Sequence, residues 1–273
     1  MAPNKSVNAF WLENNLMNPI MWLSILLLIG CGKGEKASKV VTKRDALGDP
    51  IAAQLAFKKL EKTDISQLPE GILDLDLTGS TFDPVWLIKW RGFAGLKTLD
   101  LTSCDLGDDD IQNFPKFNRL QKLDLDHNQI THASIPRISV ITQLRELNLG
   151  YNNLGTSHLG PLKNLTRLHA IDLRQTGISD QDLLPLQDLP LLEWIWLSGN
   201  KISDKGLSTL GKMHRLKGLD LSTTWVTPRG MPALSPLTNL ESLWLINRKF
   251  ASYDITALSP LFPKDCNIIL TKR

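Results

Sequence analysis

The stretch LEWIWLSGNKISDKGLSTLGKMHR, residues 192–215, decides the fold, because its pattern recurs along most of the chain. Starts at residues 72, 96, 120, 144, 168, 192, 216 and 240 divide 72–263 into eight units of 24 with no insertion or deletion. Positions 1, 4, 6, 11, 16, 19 and 22 of every unit are apolar, as in Leu192, Ile195, Leu197, Ile202, Leu207, Leu210 and Met213. With 42% of all residues apolar, chance would produce this agreement with a probability of about 10^-21, so the repeat is a structural unit.

Positions 4 and 6 are two apart, the spacing that puts side chains on one face of a strand. Leu99 and Leu101 therefore point inward, and positions 3, 5 and 7 point out. Position 9 reads Ser80, Cys104, Asn128, Asn152, Thr176, Asn200, Thr224 and Arg248. Small polar side chains there can hydrogen-bond the backbone where it turns out of the strand, forming an inner ladder along the stack. Position 12 holds helix-capping residues in Asp83, Thr131, Ser179, Ser203 and Thr227, and Pro84 and Pro228 follow two of the units' position 12 at the preferred place for a first helical turn. Apolar positions 16, 19 and 22 are three apart and suit a short α or 3₁₀ segment on the back of the sheet.

Written across each unit, LxxLxLxx(N/C/T)x(I/L) resembles the leucine-rich repeat family. The resemblance implies an α/β solenoid, a horseshoe or arc with parallel strands on the concave face and short helical segments on the convex face. Trp86 and Trp90 then belong to the outer arc as core. Residues 49–71 are expected to form an N-terminal helical cap, with Asp49 as N-cap, Pro50 at the first helical position, and Ile51, Leu55 and Leu60 buried. Residues 264–273, containing Asn267-Ile-Ile-Leu, are expected to add a cap strand that protects the far edge.

The first residues are different material. Residues 19–29, PIMWLSILLLI, have the length of a signal-peptide core and are short for a membrane span. The run Leu28-Ile29-Gly30-Cys31 resembles the lipobox of bacterial lipoproteins. The resemblance implies that residues 1–30 are a signal peptide and that Cys31 is the lipid attachment site. An uncleaved anchor, or a signal peptide whose cysteine is incidental, stays open at this point. Residues 31–48 then form a flexible tether, basic because five cationic side chains between 32 and 44 face only Glu35. Gly32, in place of an aspartate after the cysteine, leans toward the outer membrane. The expected location is the bacterial cell envelope, with the chain secreted and lipid-anchored on an extracytoplasmic face.

A formal charge of +3, without a concentrated basic stripe, argues against a nucleic-acid partner. Cys104 and Cys266 should stand about 30 Å apart at the strand spacing of a stacked solenoid, far beyond disulfide reach. His127, His132, His158, His169 and His214 fall at different repeat positions and form no metal set. His127 near Asp100, Asp124 and Asp126 is the best catalytic constellation, but it lacks a nucleophile and oxyanion donors, and surface charge explains it better. No enzyme, cofactor or metal is expected.

Function should sit on the outward strand positions. Positions 3, 5 and 7 carry Asp74, Asp76, Asp100, Asp124, Asp126, Glu146, Asp172 and Asp220 against Lys122 and Arg174. This acidic face either keeps an exposed sheet soluble or creates a field that attracts a cationic partner. Trp194, Trp196 and Trp244 share the face with Asp172, Arg174 and Asp220. Such a cluster is a candidate ligand-binding patch, unless the rings pack on one another or under the C-terminal cap; Trp225 could extend it along one rim. The leading expectation is a membrane-anchored, non-enzymatic module binding a protein or peptide on its concave face. Alternatives are a carbohydrate or cell-wall ligand on the Trp/Asp patch, or a structural envelope lipoprotein.

Overall fold

A computed structural model describes residues 41–44, 50–56, 59–60, 68, 71–86, 94–112, 114, 117–156, 158–250 and 255–270. The expected signal peptide, Cys31, the tether apart from 41–44, and Trp90 lie outside the described residues. Among the described residues one sheet runs through eleven strands in sequence order. They are β1 (Val41–Arg44), β2 (Pro50–Gln54), β3 (Asp74–Asp76), β4 (Thr98–Asp100), β5 (Lys122–Asp124), β6 (Glu146–Asn148), β7 (Ala170–Asp172), β8 (Trp194–Trp196), β9 (Gly218–Asp220), β10 (Ser242–Leu245) and β11 (Asn267–Leu270).

From β3 to β10 the strands are parallel and pair like position with like, Asp74 with Thr98 and Trp194 with Gly218. The central residues Leu75, Leu99, Leu123, Leu147, Ile171, Ile195, Leu219 and Leu243 are buried and form one continuous column. No single unit could bury that column alone, so stacking is what makes each strand stable. The architecture is the expected α/β solenoid arc.

The convex return is built from short pieces: α1 (Asp108–Ile111), α2 (Ile135–Ile138), α3 (Leu184–Gln187), α4 (Asp204–Leu210) and α5 (Ile255–Leu258), with 3₁₀ turns such as Asp180–Leu183 and Pro228–Leu234. Prolines at the starts of α2 and α3 and of the 3₁₀ turn at Gly160–Asn164 keep these pieces brief. A second polar ladder joins them. The carboxylates of Asp108, Asp180 and Asp204 accept hydrogen bonds from the backbone N–H and hydroxyl of Thr131, Ser203 and Thr227 in the next unit. Burial works against the charge of Asp108, yet bonds from Ser134 and Thr131 outweigh it and hold its pKa below the usual carboxylate value.

The inner ladder is in place at position 9. Asn200 Nδ2 donates to the carbonyls of Leu173 and Leu197, while its Oδ1 accepts from the N–H groups of Thr176 and Ile178. Asn128 and Asn152 do the same work in their own turns. Cys104, the ladder residue of its unit, lies buried with its thiol against the Leu77 carbonyl at 3.0 Å, and burial pushes its pKa up to about 12. Cys104 and Cys266 are both free thiols. In the last unit Arg248 starts a 3₁₀ turn, and its neighbour Asn247 takes over by donating to the Thr224 carbonyl at 2.7 Å.

Upstream the expected helix is replaced by a strand. Pro50–Gln54 is β2, parallel to β3 with Ala52 opposite Asp74. Leu55 and Leu60 are buried as expected, but as parts of a further solenoid turn: the Leu55 N–H donates to Asp76 O at 2.8 Å and the Leu60 N–H to Thr81 O at 2.9 Å. The physical reason is the row of backbone groups on β3, which an open edge leaves unpaired and a helix cannot satisfy. Val41–Arg44, expected to be tether, is β1 and runs antiparallel to β2. No helix among the described residues is long and apolar enough to cross a membrane.

Candidate functional site on the concave face and its rim

Position 5 of the strand does more than carry charge. The N–H of the residue two places on donates to Asp76, Asp100, Asp124, Asn148, Asp172 and Asp220, at 2.8 to 3.0 Å. Each side chain closes the turn that leaves its strand, an arrangement that Asp and Asn make readily. The aspartates of this row are buried rather than exposed, which corrects the reading of the row as a solubility device. Neighbouring units stand about 4.8 Å apart, so each side chain is shielded by the copies on either side.

Crowding acidic groups in this way raises their pKa values. Asp100 is held well above the usual carboxylate range by burial first, then by Asp124 and Asp76 on either side. Burial likewise raises Asp124, Glu146 and Asp220, with Lys122 opposing it at Glu146 through an ion pair of 2.7 Å. Asp126 is pushed up to about 7 by burial and by the charge of Asp124, against the opposing hydrogen bond with His127.

A pH dependence follows. Unfolded, the Asp126 carboxyl titrates near 4, so below about pH 4 both states hold the proton and this group imposes no penalty on the folded state. Between about pH 4 and pH 7 the unfolded state ionises while the folded state resists, and stability falls. Urea midpoints should show the wild type about 1–3 kcal/mol less stable at pH 8 than at pH 5, with Asp126→Asn losing clearly less. Equal slopes for the two proteins would mean that Asp126 ionises freely in the fold.

The tryptophans occupy the expected face but are not exposed. Trp194, Trp196 and Trp244 are 8%, 1% and 5% exposed and form a small apolar cluster with Ala170. Trp194 and Trp196 stack with centroids 6.1 Å apart. Ala170 and Gly218 flank Trp194 at the same strand position. A Cβ on Gly218 would come within 1.8 Å of the Trp194 ring, so the absence of one lets the ring lie over the sheet. Arg174 Nε contacts both Asp172 carboxylate oxygens at 3.0 and 2.7 Å, and Nη2 lies 2.6 Å from one of them, so these two candidate residues are joined. The Asp172 charge holds the guanidinium pKa above its usual value although burial opposes it.

What sequence reasoning missed is the rim. Position 8 takes the left-handed conformation in Gly79, Ser103, His127, Tyr151, Gln175, Gly199 and Thr223, which throws consecutive side chains out along one edge. The His127 and Tyr151 rings stack with centroids 4.0 Å apart and an interplanar angle of 16°. Behind them His127 Nδ1 lies 2.6 Å from Asp126, and the Arg174 guanidinium carbon sits 5.9 Å from the Tyr151 ring centre. Trp225 is an exposed residue of the same rim further on. The signal available was the run His127, Tyr151 and Gln175 at one repeat position, bulky residues where Gly79 and Gly199 stand in other units. Among the described residues no group of His, Cys, Asp or Glu could hold a metal ion.

Two models described as leucine rich repeat match residues 94–154 and 197–211. The chain therefore carries leucine-rich repeats. Among solved structures, internalin C2 from Listeria monocytogenes is 24% identical over 66% of this chain and 76% of that one, with a TM-score of 0.51. A leucine-rich repeat protein of Leptospira interrogans is 23% identical with a TM-score of 0.53, and the match covers 77% of this chain but 57% of that one. TLR13 in its complex with ssRNA13 is 17% identical over 70% of this chain and 28% of that one, with a TM-score of 0.50. These likenesses are of fold. No curated protein matches the chain.

Proposed function

We propose that this leucine-rich-repeat solenoid is a membrane-anchored, non-enzymatic recognition module that takes a cationic protein or peptide on its concave face. The observation that carries the reading is the crowding of carboxylates across β3 to β7, where Asp100, Asp124, Asp126 and Glu146 all resist ionisation. A cation placed over them relieves their desolvation and mutual repulsion, so binding energy and ionisation reinforce each other. Asp74, Asp126 and Glu146, half-buried rather than buried, are the carboxylates a partner would reach. In this reading Asp172, Arg174 and Asp220 continue the polar floor, and the cluster of Trp194 and Trp244, backed by the buried Trp196, closes its C-terminal end. A carbohydrate stacked on those three rings is the weaker alternative, because their faces are covered.

Lipidation of Cys31, with the basic tether beside it, would hold the arc on an extracytoplasmic envelope surface, since two or three acyl chains exceed what stable anchoring needs. Mass spectrometry of the mature N-terminus should find an acylated Cys31; an unmodified thiol removes the anchor from the proposal. For the concave face the probe is oligolysine, titrated calorimetrically at low ionic strength. Binding should weaken about tenfold or more when Asp74→Asn, Asp126→Asn and Glu146→Gln are combined, and should also weaken from about pH 8 to pH 5 as protons compete. Unchanged affinity in the combined variant would point to a structural envelope protein instead.

A further inference from the structure

The strands all begin on one lateral face of the arc, the face away from the rim. Two rows of side chains line it, at positions 24 and 2 of each unit. Position 2 is held in a backbone ladder: the N–H of Gln121 donates to Lys97 O, Arg145 to Gln121, His169 to Arg145, Glu193 to His169 and Lys217 to Glu193, at 2.7 to 2.9 Å. In the row at position 24, Arg167 Nη1 donates to Gln143 Oε1 at 2.8 Å, so neighbours in that row are adjacent too.

These rows are cationic. Lys97, Arg119, Arg145, Arg167, Arg215 and Lys217 stand against Glu193 and Glu241, and behind them Lys163 and Lys212 stand against Asp188. Lys217 is paired with Glu193 at 3.0 Å. Among the described residues the other five cations of the two rows form no ion pair, and all five are exposed. One or two cations per unit make no basic run in the sequence, but stacking at about 4.8 Å per unit gathers them into a band about 24 Å long. The opposite lateral face is the reverse. Positions 10 to 15, on and behind the rim, carry eight aspartates among the described residues against Lys201, Lys205, Arg229 and Lys249. The molecule is polarised across its width.

The concave and convex surfaces of an arc curve, but strands that pair like position with like begin at one level and leave the lateral face flat. A flat band of unpaired cations on long stems fits a plane of phosphate headgroups, which can meet all of them at once. A nucleic-acid duplex curves away from such a band, and among the described residues the band has no exposed Trp, Tyr or Phe on which bases could stack. The same anionic plane repels the aspartates of the far side, so attraction and repulsion select one orientation. We propose that the lateral face where the strands begin docks on anionic phospholipid and lays the arc edge-on to the bilayer, its concave face opening along the membrane. The docking needs no acyl chain. A lipid on Cys31 would only keep this face close to the headgroups, so the two ideas stand or fall separately.

The test uses the full chain carrying Cys31→Ala, which no acyl group can hold, with vesicles of phosphatidylglycerol and phosphatidylcholine in equal parts. Phosphatidylcholine alone is the uncharged control. Acetylation by a lysine-reactive ester, read by mass spectrometry, should show Lys97 and Lys212 protected severalfold by the anionic vesicles while Lys201 and Lys205 keep their reactivity. Co-sedimentation should weaken about tenfold or more when Arg119→Gln, Arg145→Gln and Arg215→Gln are combined, since each cation near such a surface strengthens binding about fivefold. The same change of charge on the far side, Lys201→Gln, Lys205→Gln and Arg229→Gln combined, should alter binding no more than about twofold. All six positions are exposed, so the melting temperature should hold in both variants, and the N-terminal residues are common to both. Equal losses in the two variants would reduce the effect to net charge and overturn the proposal. Equal protection of both lysine pairs, or of neither, overturns it as well, as does equal binding to uncharged vesicles. A duplex oligonucleotide that protects Lys97 and Lys212 at lower concentration than the vesicles do would assign the face to nucleic acid instead.

Discussion

Replacing Asn200 with leucine, a change that conserves volume, is expected to lower the stability of the arc by about 2–4 kcal/mol. The side chain sits buried between two turns of the solenoid and satisfies four backbone groups: the N–H of Thr176 and of Ile178, and the carbonyls of Leu173 and Leu197. Leucine fills the space and leaves the N–H groups of Thr176 and Ile178 without a partner, while the Leu173 carbonyl keeps the Thr176 hydroxyl and the Leu197 carbonyl keeps the Asn200 N–H. Each orphaned buried group costs about 1–3 kcal/mol, and partial relaxation of the turn brings the sum below the simple total. Thr224→Val is the internal control, because the Thr224 hydroxyl donates one bond, to Leu221 O at 2.6 Å; its cost should be about 1 kcal/mol. Urea denaturation followed by far-ultraviolet circular dichroism measures both. A loss under about 1 kcal/mol for Asn200→Leu would show that the ladder decorates the stack rather than ties it.

Trp196→Ala carries the second large effect. The ring is almost completely buried and packs in the cluster with Trp194, Trp244 and Ala170, so its removal should cost about 3–5 kcal/mol through lost transfer energy and the cavity left behind. The measurement separates two roles for the tryptophans. A large fall in the denaturation midpoint identifies Trp196 as part of a minor core on the concave side. A neutral midpoint accompanied by loss of partner binding would identify an exposed contact and contradict the packing described above. The variant should disturb β8 and its neighbours first, since each unit of a solenoid contacts mainly the units beside it.

The parts of this fold that were legible in sequence are those where one residue type can do only one thing. Leu75, Leu99 and Leu123 recur at a spacing that only a stacked strand explains, and Asn128, Asn152 and Asn200 recur where the turn needs a buried donor and acceptor together. The concave face was harder, because facing outward and being exposed differ in a stack. Asp100 faces outward, yet Asp76 and Asp124 stand on either side of it and cover it. Trp194 faces outward too, but the small residues Ala170 and Gly218 beside it let the ring lie down. Read across strands, the order Ala170, Trp194, Gly218 contains that information, whereas reading along one strand does not.

The first turn differs from its sequence expectation for a related reason. Asp49-Pro50 and the spacing of Ile51 and Leu55 suit a helix, but Ala53, Leu55 and Leu60 also carry the 4, 6 and 11 spacing of the later units, and their partners are Leu75 and the segments beyond it. The unmet hydrogen-bonding groups on β3 decide between two patterns that local sequence leaves balanced. The rim depended on backbone geometry at position 8, which histidine, tyrosine and glutamine signal only when compared with Gly79 and Gly199 at the same place in other units, where glycine is easiest.

The reversed direction of β1 has an outcome for how such an array can change in length. Each internal strand offers a parallel edge that accepts another unit of the same direction, and β11 offers one at its far side. On the other flank β1 runs against β2, so the outermost described backbone there has the wrong polarity to continue the series. A second copy's parallel edge therefore cannot continue the series past the described β1 in the same direction. Lengthening the parallel series is therefore open between existing turns, where a whole unit can slip in, or beyond β11, and is closed past the described β1.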